Sequence, residues 1–67
     1  MRNWLIQARR ERAKTQAEMA ADIGIAQSTL ACYENDSRRP SVDAAKIIGA
    51  YLDVPWTRFF EEDANDA

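Results

Sequence analysis

Apolar residues recur along this chain at helical spacing, and five segments carry the pattern. Leu5, Ala8 and Arg12 fall on one face with Trp4 beside them, which predicts a first helix from Trp4 to about Ala13 with Asn3 as its N-cap. Thr15, Gln16, Ala17 and Glu18 have the form of a capping box, in which the Thr15 hydroxyl and the Glu18 carboxylate each accept from the other's backbone N–H. Ala17, Met19, Ala20 and Ile23 continue as an apolar stripe, and Gly24 stands where a helix end favours positive φ. A further helix opens near Gln27. Ser41 caps a fourth, from Val42 to about Leu52, with Asp43 in its first turn matching the helix dipole. Val42, Ala45, Ile48, Gly49 and Leu52 share the face expected to close the core. Gly49 costs about 1 kcal/mol of helix propensity, which close packing would explain. Ala44, Ile47 and Tyr51 form a second stripe, and a helix apolar on both sides needs two partners. Pro55 is expected to start a short fifth helix through Phe60.

The second and third segments, joined by a short turn containing Gly24, form a helix-turn-helix, a motif whose second helix can enter a DNA major groove. With Gln27 at the origin and roughly 100° per residue, Leu30 and Tyr33 define an apolar side. Gln27, Ser28, Ala31 and Cys32 occupy the other side and are polar or small. Gln27 suits a bidentate pair with adenine, Ser28 donates or accepts, and Ala31 or Cys32 can touch a thymine methyl. Periodicity alone leaves two readings open: an ordinary surface helix with a small wet side, or a base-reading face.

Sixty-seven residues suit one small domain, and 46% hydrophobic with 30% charged residues suit a folded chain. One cysteine and no histidine argue against a disulfide, a metal site or general-base catalysis. No phosphate-binding glycine loop, signal peptide or long apolar run is present. The expectation is a cytoplasmic, non-enzymatic chain without cofactor, membrane partner or small-molecule ligand. The net charge of −2 and pI near 4.9 are unusual for a DNA-binding chain. Residues 1–60 hold all nine basic and seven acidic residues, however, for a charge of +2. Glu61, Glu62, Asp63 and Asp66 make residues 61–67 an acidic tail. It is read either as a solvated, frayed end or as a segment that competes with phosphates.

A set of residues in register resembles the lambda-type helix-turn-helix family of phage repressors, Cro proteins and related XRE-type bacterial regulators. These are Leu5, Arg9, Thr15, Gln16, Glu18, Met19, Ala20, Gly24, Ile25, Ser28, Leu30, Tyr33, Glu34, Asn35, Arg38, Arg39, Pro40, Ser41, Leu52 and Val54. The resemblance runs from Leu5 to Phe60 and implies an all-α, five-helix, lambda-repressor-like domain. It implies that Arg9 pairs with Glu34, and that Gln16 holds a phosphate while steadying the recognition helix. The same residue type also serves as a plain exposed helix former. The resemblance places Asn35, Ser37, Arg38 and Arg39 beside the DNA backbone, groups that bond phosphate without reading sequence. A solvated turn is the alternative. Arg10 is a weaker phosphate candidate. Base reading falls to Gln27 and Ser28, with Cys32 third; a lone Cys there also serves simply as a small side chain.

Three residues depart from the family pattern. Ala26 replaces the usual Ser or Thr N-cap, at a cost of about 1 kcal/mol. Ala13 replaces a glycine after the first helix, so that helix is expected to continue to Lys14. Asp36 replaces the glycine after Glu-Asn, tolerating the left-handed conformation but adding a negative charge beside the expected phosphate contacts. Trp56, Phe59 and Phe60 exceed what so small a core readily buries. They suggest a two-fold homodimer through Ile47, Tyr51, Val54, Trp56 and Phe60, or else Trp56 and one Phe plug a monomer core. The expected function is a transcriptional regulator, a repressor binding double-stranded DNA at a pseudo-palindromic operator. The alternative is a protein-interaction module, antitoxin-like or an anti-repressor partner.

Overall fold

The computed structural model describes residues 1–61. Four helices, α1 (Asn3–Glu11), α2 (Gln16–Ile23), α3 (Gln27–Glu34) and α4 (Val42–Leu52), are followed by a single helical turn, α5, over residues 58–61. They enclose one core of Leu5, Met19, Ala20, Leu30, Tyr33, Ala45, Ile48, Leu52 and Phe59.

The capping box at α2 is complete. The Glu18 N–H donates to the Thr15 Oγ1 at 3.1 Å and the Thr15 N–H donates to Glu18 Oε1 at 2.9 Å. That backbone hydrogen bond holds the Glu18 carboxyl below its ordinary pKa. Gly24 ends α2 in the left-handed region at φ 77°, and its N–H donates to the Ala20 and Ala21 carbonyls. Ser41 caps α4 by accepting from the Ala44 N–H at 3.2 Å. Ala26 stands at the start of α3 without any side-chain cap.

Several sequence expectations change. Asn3 lies inside α1; Arg2 occupies the N-cap position, with no side-chain cap bond. Arg2 is held there by α3, because its N–H donates to the Glu34 carbonyl at 2.7 Å. The first helix stops at Glu11 instead of running to Lys14, and Ala13 takes φ 56°. An alanine in that region costs about 1–2 kcal/mol. The reversal is secured by Arg9, whose Nη1 donates to the Lys14 carbonyl at 2.8 Å. Arg12 is exposed and lies 5.9 Å from the Tyr51 ring centroid. Ala17 and Val42 are also exposed, so the buried faces of α2 and α4 are narrower than the apolar stripes. The fifth helix begins at residue 58; Pro55 to Thr57 form a turn before it.

That turn explains Gly49. A Cβ there would stand 2.8 Å from the Val54 carbonyl oxygen and 3.1 Å from the Trp56 Cα. Both obstacles are backbone, so the chain returning from α4 requires the missing side chain. The return carries Phe59 into full burial, edge-on to Trp4 at a centroid distance of 4.8 Å. Trp56 and Phe60 stay half-buried, edge to face at 5.9 Å. The acidic-tail reading for residues 62–67 lies outside the described residues, and Glu61 completes α5.

Candidate nucleic-acid interface

One face of α3 anchors it and the other is presented. Leu30, Tyr33 and Glu34 are buried. Gln27 and Ser28 are exposed, and Ala31 and Cys32 are half-exposed. A base-reading helix needs this division, because a firmly seated inner face fixes the direction of the outer one. Small side chains at Ala31 and Cys32 keep the outer surface flat enough for close approach to base edges.

The seat is polar at its centre. Glu34 is 2% exposed, and its carboxylate accepts from Arg9 Nε at 2.7 Å, Arg9 Nη2 at 3.3 Å and Gln16 Nε2 at 3.0 Å. One carboxylate thereby binds α1, α2 and α3 together. The Arg9 guanidinium presents two donors to it in a fork, the strong geometry for such a pair. Gln16 is half-buried, and its amide steadies α3 by donating to Glu34.

The polar loop follows α3 directly. Asn35 closes the helix, and its Oδ1 accepts from the Ser37 N–H at 2.9 Å. The Ser37 and Arg38 N–H groups donate to the Cys32 carbonyl at 3.1 and 3.3 Å, and the Ser37 hydroxyl reaches the same oxygen at 3.5 Å. Asp36 takes the left-handed region at φ 71°. The loop is therefore folded back onto the end of α3, and Asn35, Ser37, Arg38 and Arg39 are all exposed on it. The Arg39 guanidinium also lies 5.4 Å from the Phe60 ring centroid. Arg10 is exposed on α1, at a distance in sequence from this loop.

The residues considered for self-association divide. Ile47 is 53% exposed on α4. Tyr51, Val54, Trp56 and Phe60 are half-buried and pack against the core. Tyr51 is engaged within the chain: its hydroxyl donates to Asp22 Oδ2 at 2.5 Å. That bond holds the Asp22 carboxyl below its ordinary pKa and the tyrosine above its own.

Sequence reasoning missed Arg2. A basic residue at a chain end reads as solvated, yet Arg2 is 4% exposed and touches the end of α3, the loop and Phe59. The available signal was Asp36, a carboxylate in the same short loop as Arg38 and Arg39. Among the described residues no group of His, Cys, Asp and Glu is placed to hold a metal ion, and no helix is long and apolar enough to cross a membrane.

A family model described as "Helix-turn-helix" matches residues 5–59. The chain is 41% identical over 66 residues to the "Uncharacterized HTH-type transcriptional regulator YqaF" of Bacillus subtilis (strain 168), covering 98% of this chain and 87% of that protein. No solved structure matches significantly. The family match begins at the core residue Leu5 and ends at the core residue Phe59, so it takes in every buried residue of the core around α2 and α3. On that ground the chain belongs to the Cro/C1-type helix-turn-helix family, with its lambda-repressor-like all-α fold.

Proposed function

We propose that the protein is a sequence-specific DNA-binding transcriptional regulator, acting as a repressor on a pseudo-palindromic operator. The observation that carries this reading is the exposed polar side of α3, seated through Glu34 and continued by the cationic loop. The regulator named among its relatives supports the same reading. Gln27 and Ser28 read base edges, with Cys32 contributing a small apolar contact. Asn35, Ser37, Arg38 and Arg39 hold phosphates, with Arg10 flanking and Gln16 at the start of α2.

Fluorescence anisotropy against DNA flanking the protein's own reading frame and against random duplex, over a salt series, tests this. Gln27→Ala should cost roughly 1–3 kcal/mol on the preferred sequence and relax one base position. Arg39→Ala should weaken all sequences alike and lower the salt slope by about 1. Unchanged sequence preference in Gln27→Ala would place the reading face elsewhere.

The proposed operator-bound form is a homodimer through the exposed Ile47 and the neighbouring Tyr51, Val54, Trp56 and Phe60. Two such copies would address half-sites one helical turn apart. Sedimentation of Ile47→Asp should give a monomer where the natural chain gives a dimer, and a natural chain that stays monomeric at high micromolar concentration rejects the dimer. The exposed Ile47 also favours a second reading, a protein-interaction module of antitoxin-like or anti-repressor type. Absence of DNA binding even at low salt would select it.

A further inference from the structure

The loop after α3 carries a negative charge where the proposed interface needs positive ones. The Asp36 side chain is 59% exposed. It sits in the same short loop as Arg38 and Arg39, and an uncompensated carboxylate there repels phosphates within a Debye length, about 10 Å. Arg2 answers that charge: its Nη2 donates to Asp36 Oδ1 at 2.9 Å.

The same guanidinium does more. Nη1 donates to the carbonyl of Tyr33 and, at 3.4 Å, to the carbonyl of Arg38. Its carbon lies 5.3 Å from the centroid of Phe59. The Arg2 N–H donates to the Glu34 carbonyl at 2.7 Å. One residue thus grips the last turn of α3 and both sides of the Asp36 reversal. The planar, multi-donor arginine head makes these three bonds at once. With its side chain 3% exposed, Arg2 is no solvated chain-end cation reaching for phosphate.

We propose that Arg2 is a positioning residue for DNA binding, clasping residues 33–38 into one rigid edge and cancelling the Asp36 charge beside the phosphate-facing arginines. This rests on the DNA-binding reading above. The exposed carboxylate at position 36 and the buried arginine at position 2 then form one device. The carboxylate gives the clasp its anchor, and the clasp removes the repulsion that the carboxylate would otherwise exert.

The two halves are separable by experiment. Arg2→Gln, Asp36→Asn and the double variant are titrated in the full chain against a labelled random-sequence duplex, which reads the phosphate term without an operator. Arg2→Gln should bind about tenfold more weakly near 50 mM salt, with the gap narrowing to about threefold near 200 mM as screening rises. Adding Asp36→Asn should recover most of the loss. A loss equal at both salts, or no recovery in the double variant, overturns the electrostatic half. Hydrogen exchange on the free protein reads the mechanical half. The Ser37 and Arg38 amides, which donate to the Cys32 carbonyl, should exchange about tenfold faster in Arg2→Gln while the α4 amides are unchanged. Equal acceleration in α4 would make Arg2 a general stabiliser and overturn the positioning role; unchanged loop amides would overturn it too. If the natural chain binds no duplex, the DNA reading and the electrostatic half fail together, and the exchange measurement still decides the clasp.

Discussion

Glu34→Ala is expected to leave the protein largely unfolded at room temperature. The carboxylate is 2% exposed and faces an Arg9 side chain only 12% exposed. Their mutual attraction roughly offsets the cost of taking both from water, so the intact pair adds little net stability. Removing one partner is different, because the desolvated guanidinium then has no counter-charge. That loss is about 3–5 kcal/mol. A chain of this length has a total stability of about 3–10 kcal/mol. Gln16 loses its acceptor as well. Urea unfolding followed by circular dichroism should show the midpoint falling to near zero. Glu34→Gln, which keeps an acceptor but not the charge, should lose about half as much. Replacing Arg9 and Glu34 together with Met and Leu should recover much of the loss, since well-packed apolar groups substitute for a buried pair at small cost. A midpoint in Glu34→Ala within about 0.3 M urea of the natural chain would contradict the buried-pair account.

Phe59→Ala should cost about 3–5 kcal/mol, the usual range for removing a fully buried aromatic ring. The ring belongs to a single helical turn, too short to persist without tertiary contacts. Its loss should therefore release α5 as a unit rather than leave a neat cavity. Trp4 loses its edge-to-face partner and Arg2 the ring beneath its guanidinium. Trp4 emission, read in a Trp56→Phe background, should shift to the red before global unfolding begins. Unshifted emission would mean that Trp4 is shielded by the rest of the core and that α5 closes nothing essential.

The helix-turn-helix was legible because its signals are local. A capping box needs residues three apart, a left-handed C-cap needs a glycine, and an amphipathic helix needs only its own periodicity. Thr15, Glu18, Gly24 and Ser41 all act through neighbours within a turn, and each takes the role its spacing predicts. The exposed side of α3 follows from the same periodicity. Local spacing failed where a distant group intervened. Asn3 has the better capping side chain, yet α1 starts from Arg2 because the end of α3 holds the Arg2 N–H. Ala13 favours helix, yet it turns left-handed because Arg9 pulls the Lys14 carbonyl back. Val42 and Ala17 fit apolar stripes but are exposed, because the described elements pack against other faces of their helices.

The sequence by itself therefore determined the helical segments, most of their ends, and which side of α3 is polar and small, since those depend on interactions within one turn. Only the tertiary structure decided that Arg2 is buried against Asp36, that Gly49 makes room for the returning backbone, and that Phe59 rather than Trp56 or Phe60 fills the core. The physical reason is range: each of those outcomes depends on which distant groups compete for the same space or the same hydrogen bond, and helical periodicity carries no record of that competition.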